Sequence, residues 1–215
     1  MLGAGSYAHV MACAAAAALT PASGGLDQAL DRAAAVAGDA DELAAVVTLA
    51  SQYGRHERAR ATLDLARGRF PGDPRMLRLA SAVAEQSGDV RLAAELFAQV
   101  MAAEADRPAP LSSLRADFTR LIGLHAQRAR ATAGADRQAA RDAALAAGRD
   151  WRAIDPDFAG RERALGELLL TLGEAEEGWR YLSTPIDLAP REGASFQVAA
   201  EALERHGQLE QALGL

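Results

Sequence analysis

The sequence predicts an all-α protein, a right-handed α-solenoid of stacked antiparallel helical hairpins, and three observations carry that expectation. Gly54 and Gly88 are separated by the same interval as Gly173 and Gly207, and that interval, about 34 residues, is the length of a two-helix unit repeated along a chain. The small and apolar residues around the first glycine recur around the second: Leu43, Val46, Val47, Ala50, Ala59, Leu63, Ala66 and the closing Pro71 shift by one period onto Leu77, Ala80, Ser81, Ala84, Ala93, Phe97, Val100 and Ala105. Half of the 215 residues are apolar but only 5% are aromatic. A core made of Ala and Leu favours helices throughout and lets them approach closely.

Each element then follows in order. Residues 6–19 and 26–37 read as a first helical pair, with Pro21 to Gly25 as its turn and Gly38-Asp39 as its stop. Its apolar places fit the period imperfectly, so residues 1–39 read as an N-terminal cap. Two regular repeats occupy 40–106. Their helices run from about Asp41 to Tyr53, His56 to Arg69, Pro74 to Gln86 and Val90 to Ala103. Pro71 closes the first repeat, and Pro74 opens the next helix, where its missing N–H costs nothing.

Asp106-Arg107-Pro108-Ala109-Pro110 breaks the regularity, and the stretch from Gly88 to Gly173 amounts to two and a half periods. Residues 107–156 therefore read as one enlarged, Arg-rich hairpin. Ser112 or Ser113 is expected to cap a helix reaching about Ala131, Gly134 to turn the chain, and a second helix to run from Asp136 to Ile154. Over 157–215 the repeats resume with Leu165-Gly166, Leu169, Gly173, Leu182 and Pro190, then Phe196, Ala199, Ala200, Leu203, Gly207 and Ala212. Pro185 is expected to kink or end its helix early. The last repeat stops at Leu215 inside its second helix, so the sequence reads as a fragment or as part of a longer repeat protein with its own polar cap.

Charge and composition narrow the function. All 23 basic residues are arginine, neither Lys nor Asn occurs, and the net charge of -6 argues against a general nucleic-acid binder. The single Cys13 makes no internal disulfide and no zinc cluster. Val10 to Leu19 is a short run of small apolar residues, and Val10-Met11-Ala12-Cys13 faintly resembles a bacterial lipobox. No basic residue precedes it, however, and it is shorter than the ~20 residues a membrane span needs. A first helix in a cytoplasmic protein is the expectation, with export the alternative if residues 1–23 are a signal.

No catalytic constellation is legible, and no cofactor or metal is expected. His9, His56, His125 and His206 are scattered. His125 has no second ligand at helical spacing, only Arg128 on its side. Glu174, Glu176 and Glu177 sit where a helix start favours acids. Trp151 and Trp179 stand at helical spacing among alanines and leucines, which reads as core packing.

The residues at these places resemble the tetratricopeptide repeat family. Leu43, Val46, Val47 and Ala50 stand at its first-helix places, Ala59, Leu63 and Ala66 at its second-helix places, Pro71 at its closing proline, and Leu165-Gly166 as its Leu-Gly pair. Its tryptophan is replaced by Leu43 and Leu77 and its tyrosine by Ala50 and Ala84; Sel1-like and pentatricopeptide arrays share the hairpin. The resemblance implies a non-catalytic protein–protein interaction scaffold whose first helices line a concave face for an extended peptide or helix. The residues pointing inward would be Thr48, Ser51, Gln52, Arg75, Arg78, Ala82, Glu85 and Gln86, then Arg163, Glu167, Thr171, Gln197, Glu201 and Arg205. The usual carboxylate clamp of such domains uses Lys and Asn, which this chain lacks.

The enlarged hairpin is electrically distinct. From Arg107 to Arg152 nine arginines face Asp117, Asp136, Asp142 and Asp150, a charge of +5 that leaves -11 on the rest. This block reads in three ways: as a surface for acidic flanks of neighbouring repeats or a second copy, as a contact for an acidic partner or nucleic acid, or as a solvated face. The competing roles for the whole chain are a structural spacer in a larger protein and, more weakly, an arginine-dependent nucleic-acid binder.

Overall fold

The structure is a computed structural model that describes residues 7–18, 24–106, 108–156, 159–188, 191, 193–208, 210, 212 and 214. Among them lie eleven helices and no strand: α1 (Tyr7–Ala18), α2 (Gly24–Val36), α3 (Ala40–Gln52), α4 (His56–Arg69), α5 (Pro74–Gln86), α6 (Val90–Glu104), α7 (Leu111–Ala131), α8 (Gly134–Ile154), α9 (Ala159–Thr171), α10 (Ala175–Leu188) and α11 (Gly193–Arg205). The helices pack as antiparallel pairs, α1 with α2, α3 with α4, and so on to α9 with α10. The chain divides into two compact units, Met1–Arg107 and Pro108–Leu215.

The period has a main-chain cause. Gly54, Gly88, Gly173 and Gly207 all have positive φ, between 69° and 82°, which glycine adopts without the strain a Cβ brings. At each, the following residue donates back to close a Schellman motif: Arg55 N to Ala50 O at 2.8 Å, Asp89 N to Ala84 O at 2.9 Å, Glu174 N to Leu169 O at 2.9 Å and Gln208 N to Leu203 O at 2.8 Å. The same turn is thus built four times, and it sets the angle at which each second helix starts.

In unit 1, the fourteen periodic positions from Leu43 to Val100 are buried, none more than 7% exposed, whereas Ala105, one period after Pro71, follows the end of α6 and is exposed. Asp39, Asp73 and Asp89 cap α3, α5 and α6, their carboxylates accepting from the N–H groups of Glu42, Arg75 and Leu92. Pro74 opens α5 as expected. The first pair is more regular than its sequence suggests. Its buried Val10, Ala14, Leu26, Leu30 and Ala33 precede Leu43, Val47, Ala59, Leu63 and Ala66 by one residue less than a full period, so the repeat persists in slightly shortened form.

In unit 2 the long α7 and α8 form the enlarged hairpin. Trp151 is fully buried and stacks on Phe118, ring centroids 5.4 Å apart, while Trp179 packs partly buried against a cluster of Leu170, Leu182, Ile186, Ala199, Ala202 and Leu203. Two expectations need correction. Pro110, not Ser112 or Ser113, is the residue at the start of α7, and no side chain caps it. Pro185 does not end its helix early: it lies inside α10, which runs on to Leu188. A proline in the last turn removes a single backbone bond, and Ile186, 9% exposed, anchors that turn in the core. Pro190 and Leu215 lie outside the described residues.

Candidate binding surface

The first helices of neighbouring hairpins lie side by side within each unit, α3 beside α5 and α9 beside α11. Their buried stripes face the core, so the remaining faces carry the residues singled out in the sequence. On α3, Thr48 and Gln52 are exposed, the Thr48 hydroxyl donating to Ala44 O at 2.8 Å, and Ser51 Oγ is buried without a hydrogen-bond partner. On α5, Arg75 and Gln86 are exposed and Arg78, Ala82 and Glu85 half-buried.

The two α5 arginines are engaged in the fold. Arg75 pairs with Asp41 at the start of α3 and with Asp73 at 2.9 Å. The hydrogen bond from Arg75 holds the Asp73 carboxyl below its ordinary range, against a smaller effect of burial. Arg78 pairs with Glu104 at the end of α6, and its guanidinium lies 5.4 Å from the Phe97 ring centre, a cation–π contact.

In unit 2 the structure joins all six predicted residues into one network. Glu167 on α9 accepts from Arg163 at 3.0 Å and from Arg205 of α11 at 2.9 Å. Arg205 Nε donates to Glu201 O at 3.2 Å, Gln197 donates to the Glu201 carboxylate at 2.9 Å, and Thr171 donates to Glu167 O at 2.8 Å. Burial raises the Glu167 carboxyl, but the hydrogen bonds and charges of Arg163 and Arg205 outweigh it and hold it below the usual carboxylate range. Glu167 therefore ties α9 to α11, and its face offers both signs of charge.

Three charged clusters escaped the sequence reading. Arg141 on α8 grips the α9–α10 turn, donating to both Glu174 oxygens at 2.9 Å and pairing with Glu177 at 2.6 Å, while Arg137 donates to Leu172 O at 2.5 Å. The hydrogen bond from Arg141 is the main cause of a lowered Glu174 pKa. Arg161, 3% exposed, pairs with the buried Glu162 and donates to Asp155 O at 3.0 Å and Pro156 O at 3.1 Å. Arg115 of α7 donates to the Asp155 carboxylate at 2.6 Å, which lowers that group's pKa. His125, 7% exposed, keeps Nδ1 without a partner, and burial followed by the nearby Arg128 charge pushes it down to about 4. Only cross-repeat spacings close to one period, such as Arg141 to Glu174, hinted at these pairs.

Among the described residues no three His, Cys, Asp or Glu side chains gather as metal ligands, and no helix is long and apolar enough to cross a membrane. The stacked hairpins and their glycine turns define the class as the tetratricopeptide-repeat fold. The solved structures agree. A tetratricopeptide repeat protein from Parabacteroides merdae matches with a TM-score of 0.62 at 12% identity, over 97% of this chain and 76% of its own. The MamA protein matches with a TM-score of 0.57 at 13% identity, over 97% of both chains. The Cut9–Hcn1 hetero-tetramer of the APC/C matches with a TM-score of 0.52 at 16% identity over 95% of this chain, which spans 36% of the length of that chain. At such identities the likeness is one of fold. No family model and no curated protein matches the sequence.

Proposed function

We propose that the chain is a non-catalytic protein-interaction scaffold that takes an extended peptide or a helix along the first helices of its hairpins. One observation carries this reading: the apolar periodic positions are spent on the core, so the first-helix faces are left polar, rigidly held and mixed in sign. Helices fixed before binding lower the ordering cost of association. The contact residues on this reading are Thr48, Ser51, Gln52, Arg75, Arg78, Glu85 and Gln86 in unit 1, and Arg163, Glu167, Gln197, Glu201 and Arg205 in unit 2. The likeness to Cut9, which assembles with Hcn1, is in keeping with a protein partner.

The grip of Arg141 on Glu174 and Glu177 favours one reading of the basic block. Arg141 serves the acidic flank of the neighbouring repeat, in keeping with that reading of the block.

The test places a photo-crosslinking residue at Gln52 or Gln86, exposed and outside the ion pairs that occupy Arg75 and Arg78, and in parallel at Arg60 or Glu95 on the second helices. Adducts with a protein from cells producing the chain are expected at Gln52 and Gln86 and not at Arg60 and Glu95. Adducts absent from both first-helix positions would overturn the proposal.

A further inference from the structure

Eleven residues before each of the four turn glycines stands a residue near the start of the first helix: Leu43 before Gly54, Leu77 before Gly88, Phe196 before Gly207, and Glu162 before Gly173. On α9 a carboxylate therefore occupies the place where the other three repeats put a large apolar side chain. It is buried there, 6% exposed, beside Arg161 at 3%. Every nitrogen of the Arg161 guanidinium is used. Nε donates to Glu162 Oε1 at 3.1 Å, Nη2 to the same oxygen and to Pro156 O at 3.1 Å, and Nη1 to Asp155 O at 3.0 Å. Stability alone is a weak reason for such a pair, because apolar residues of similar volume in its place are often neutral or better.

The rest of α9 shows what the pair adds. Leu168, Leu169 and Leu170 are consecutive and all buried, and at ~100° per residue they spread over more than half of the helix circumference. The helix packs against α7, α8, α10 and α11, with Leu170 in the cluster that holds Leu203 of α11. A helix with leucines on so many sides can turn about its axis and still bury apolar surface. Gly166 permits the close crossing with Gly178, but a glycine turned elsewhere causes no clash. Arg161 is different: turning α9 would draw its guanidinium away from Asp155 O and Pro156 O and leave buried N–H groups without acceptors, at their full desolvation cost.

We propose that Arg161 and Glu162 are positioning residues that lock the rotation of α9 about its axis, and through it place Arg163 and Glu167 on the first-helix face. An apolar pair at these positions leaves several rotations open, much as a coiled coil without its buried polar residue loses a fixed register. In the locked setting Glu167 accepts from Arg205 of α11 at 2.9 Å. The use of Arg163 and Glu167 as contacts rests on the function proposed above, but the lock itself does not.

The experiment compares the whole ¹⁵N-labelled chain with the double variant Arg161→Met, Glu162→Leu, which supplies the apolar residue found in the other repeats. The variant is expected to keep or raise the melting temperature of unit 2, read by Trp fluorescence, while the amide signals of Leu165 to Thr171 broaden or double. The Glu167 carboxyl, followed by NMR titration, lies below the ordinary glutamate range in the wild type and should return toward it in the variant as Arg205 is lost. A single sharp set of α9 signals with Glu167 still low would overturn the proposal. So would a melting temperature more than about 10 °C below the wild type, which would make the pair a plain source of stability. Crosslinking at Gln52 and Gln86, both in unit 1, judges the first-helix reading separately.

Discussion

In the α5–α6 hairpin of unit 1, Ser81 donates to Ala93 O at 2.8 Å across the helix crossing. In the α9–α10 hairpin of unit 2 the same two places hold Gly166 and Gly178. A Cβ added at Gly166 would lie 2.7 Å from Leu182 Cγ and 3.0 Å from Gly178 O, and one added at Gly148 would lie 2.5 Å from a Leu165 methyl. Unit 1 therefore spaces its helices with small side chains that have room, whereas unit 2 brings backbones together and fills the remainder with Leu165, Leu168, Leu169 and Leu170, all at most 7% exposed. Unit 2 also buries charge, in Arg161 and Glu162, and a neutral imidazole, His125, and the charged residues that unit 1 pairs lie nearer water. The difference teaches that one hairpin geometry is reached by two kinds of packing, with separate vulnerabilities.

The largest effect expected from breaking this contrast lies at Arg161. Arg161→Met should cost about 3–5 kcal/mol, because it leaves the Glu162 carboxylate buried without its partner. Chemical denaturation followed by Trp fluorescence reads unit 2 directly, since Trp151 and Trp179 are its only tryptophans and unit 1 has none. Adding Glu162→Gln should recover much of the loss, and no recovery would show that the packing of Arg161, not its charge, is what matters.

His125 gives the next effect. Its folded pKa of about 4 lies below the ordinary 6.5, so as pH falls the unfolded chain takes up the proton first. Stability contributed by the neutral ring is complete above 6.5, drains between 6.5 and 4, and then levels off, a loss of up to about 3 kcal/mol. Denaturation of the wild type across that range should show the slope, and His125→Leu should flatten it.

The smallest of the three sharpens the helix-crossing comparison. Gly166→Ala should destabilise unit 2 by about 1–3 kcal/mol through overpacking. Ser81→Ala in unit 1 should cost only about 1 kcal/mol, the net worth of one hydrogen bond. Equal costs would mean that the two crossings are equally tight.

The hairpins were legible because their information is local and periodic. Leu43 and Leu77, or Ala59 and Ala93, announce themselves by spacing, and each is buried. The glycine turns were legible because positive φ selects one residue type. The first pair was harder to read, since a single missing residue moves Val10 and Leu26 out of step without disturbing the packing. The α7 start misled because a serine near a helix start is only a candidate, and Pro110 already sets the chain direction. At the candidate surface the sequence named Glu167 and Arg205 but not their bond, which depends on how α11 settles against α9. Likewise the positive block was visible as composition, while the grip of Arg141 on Glu174 required two hairpins to be folded side by side.

The four Schellman turns make the array a set of interchangeable cassettes. Excising residues 55–88 would join Gly54 to Asp89, the very neighbour that follows Gly88, and the junction would already possess the dihedral angles it needs. A gene for such a chain can shorten or lengthen by unequal recombination, one whole turn-to-turn segment at a time, without having to invent a new corner.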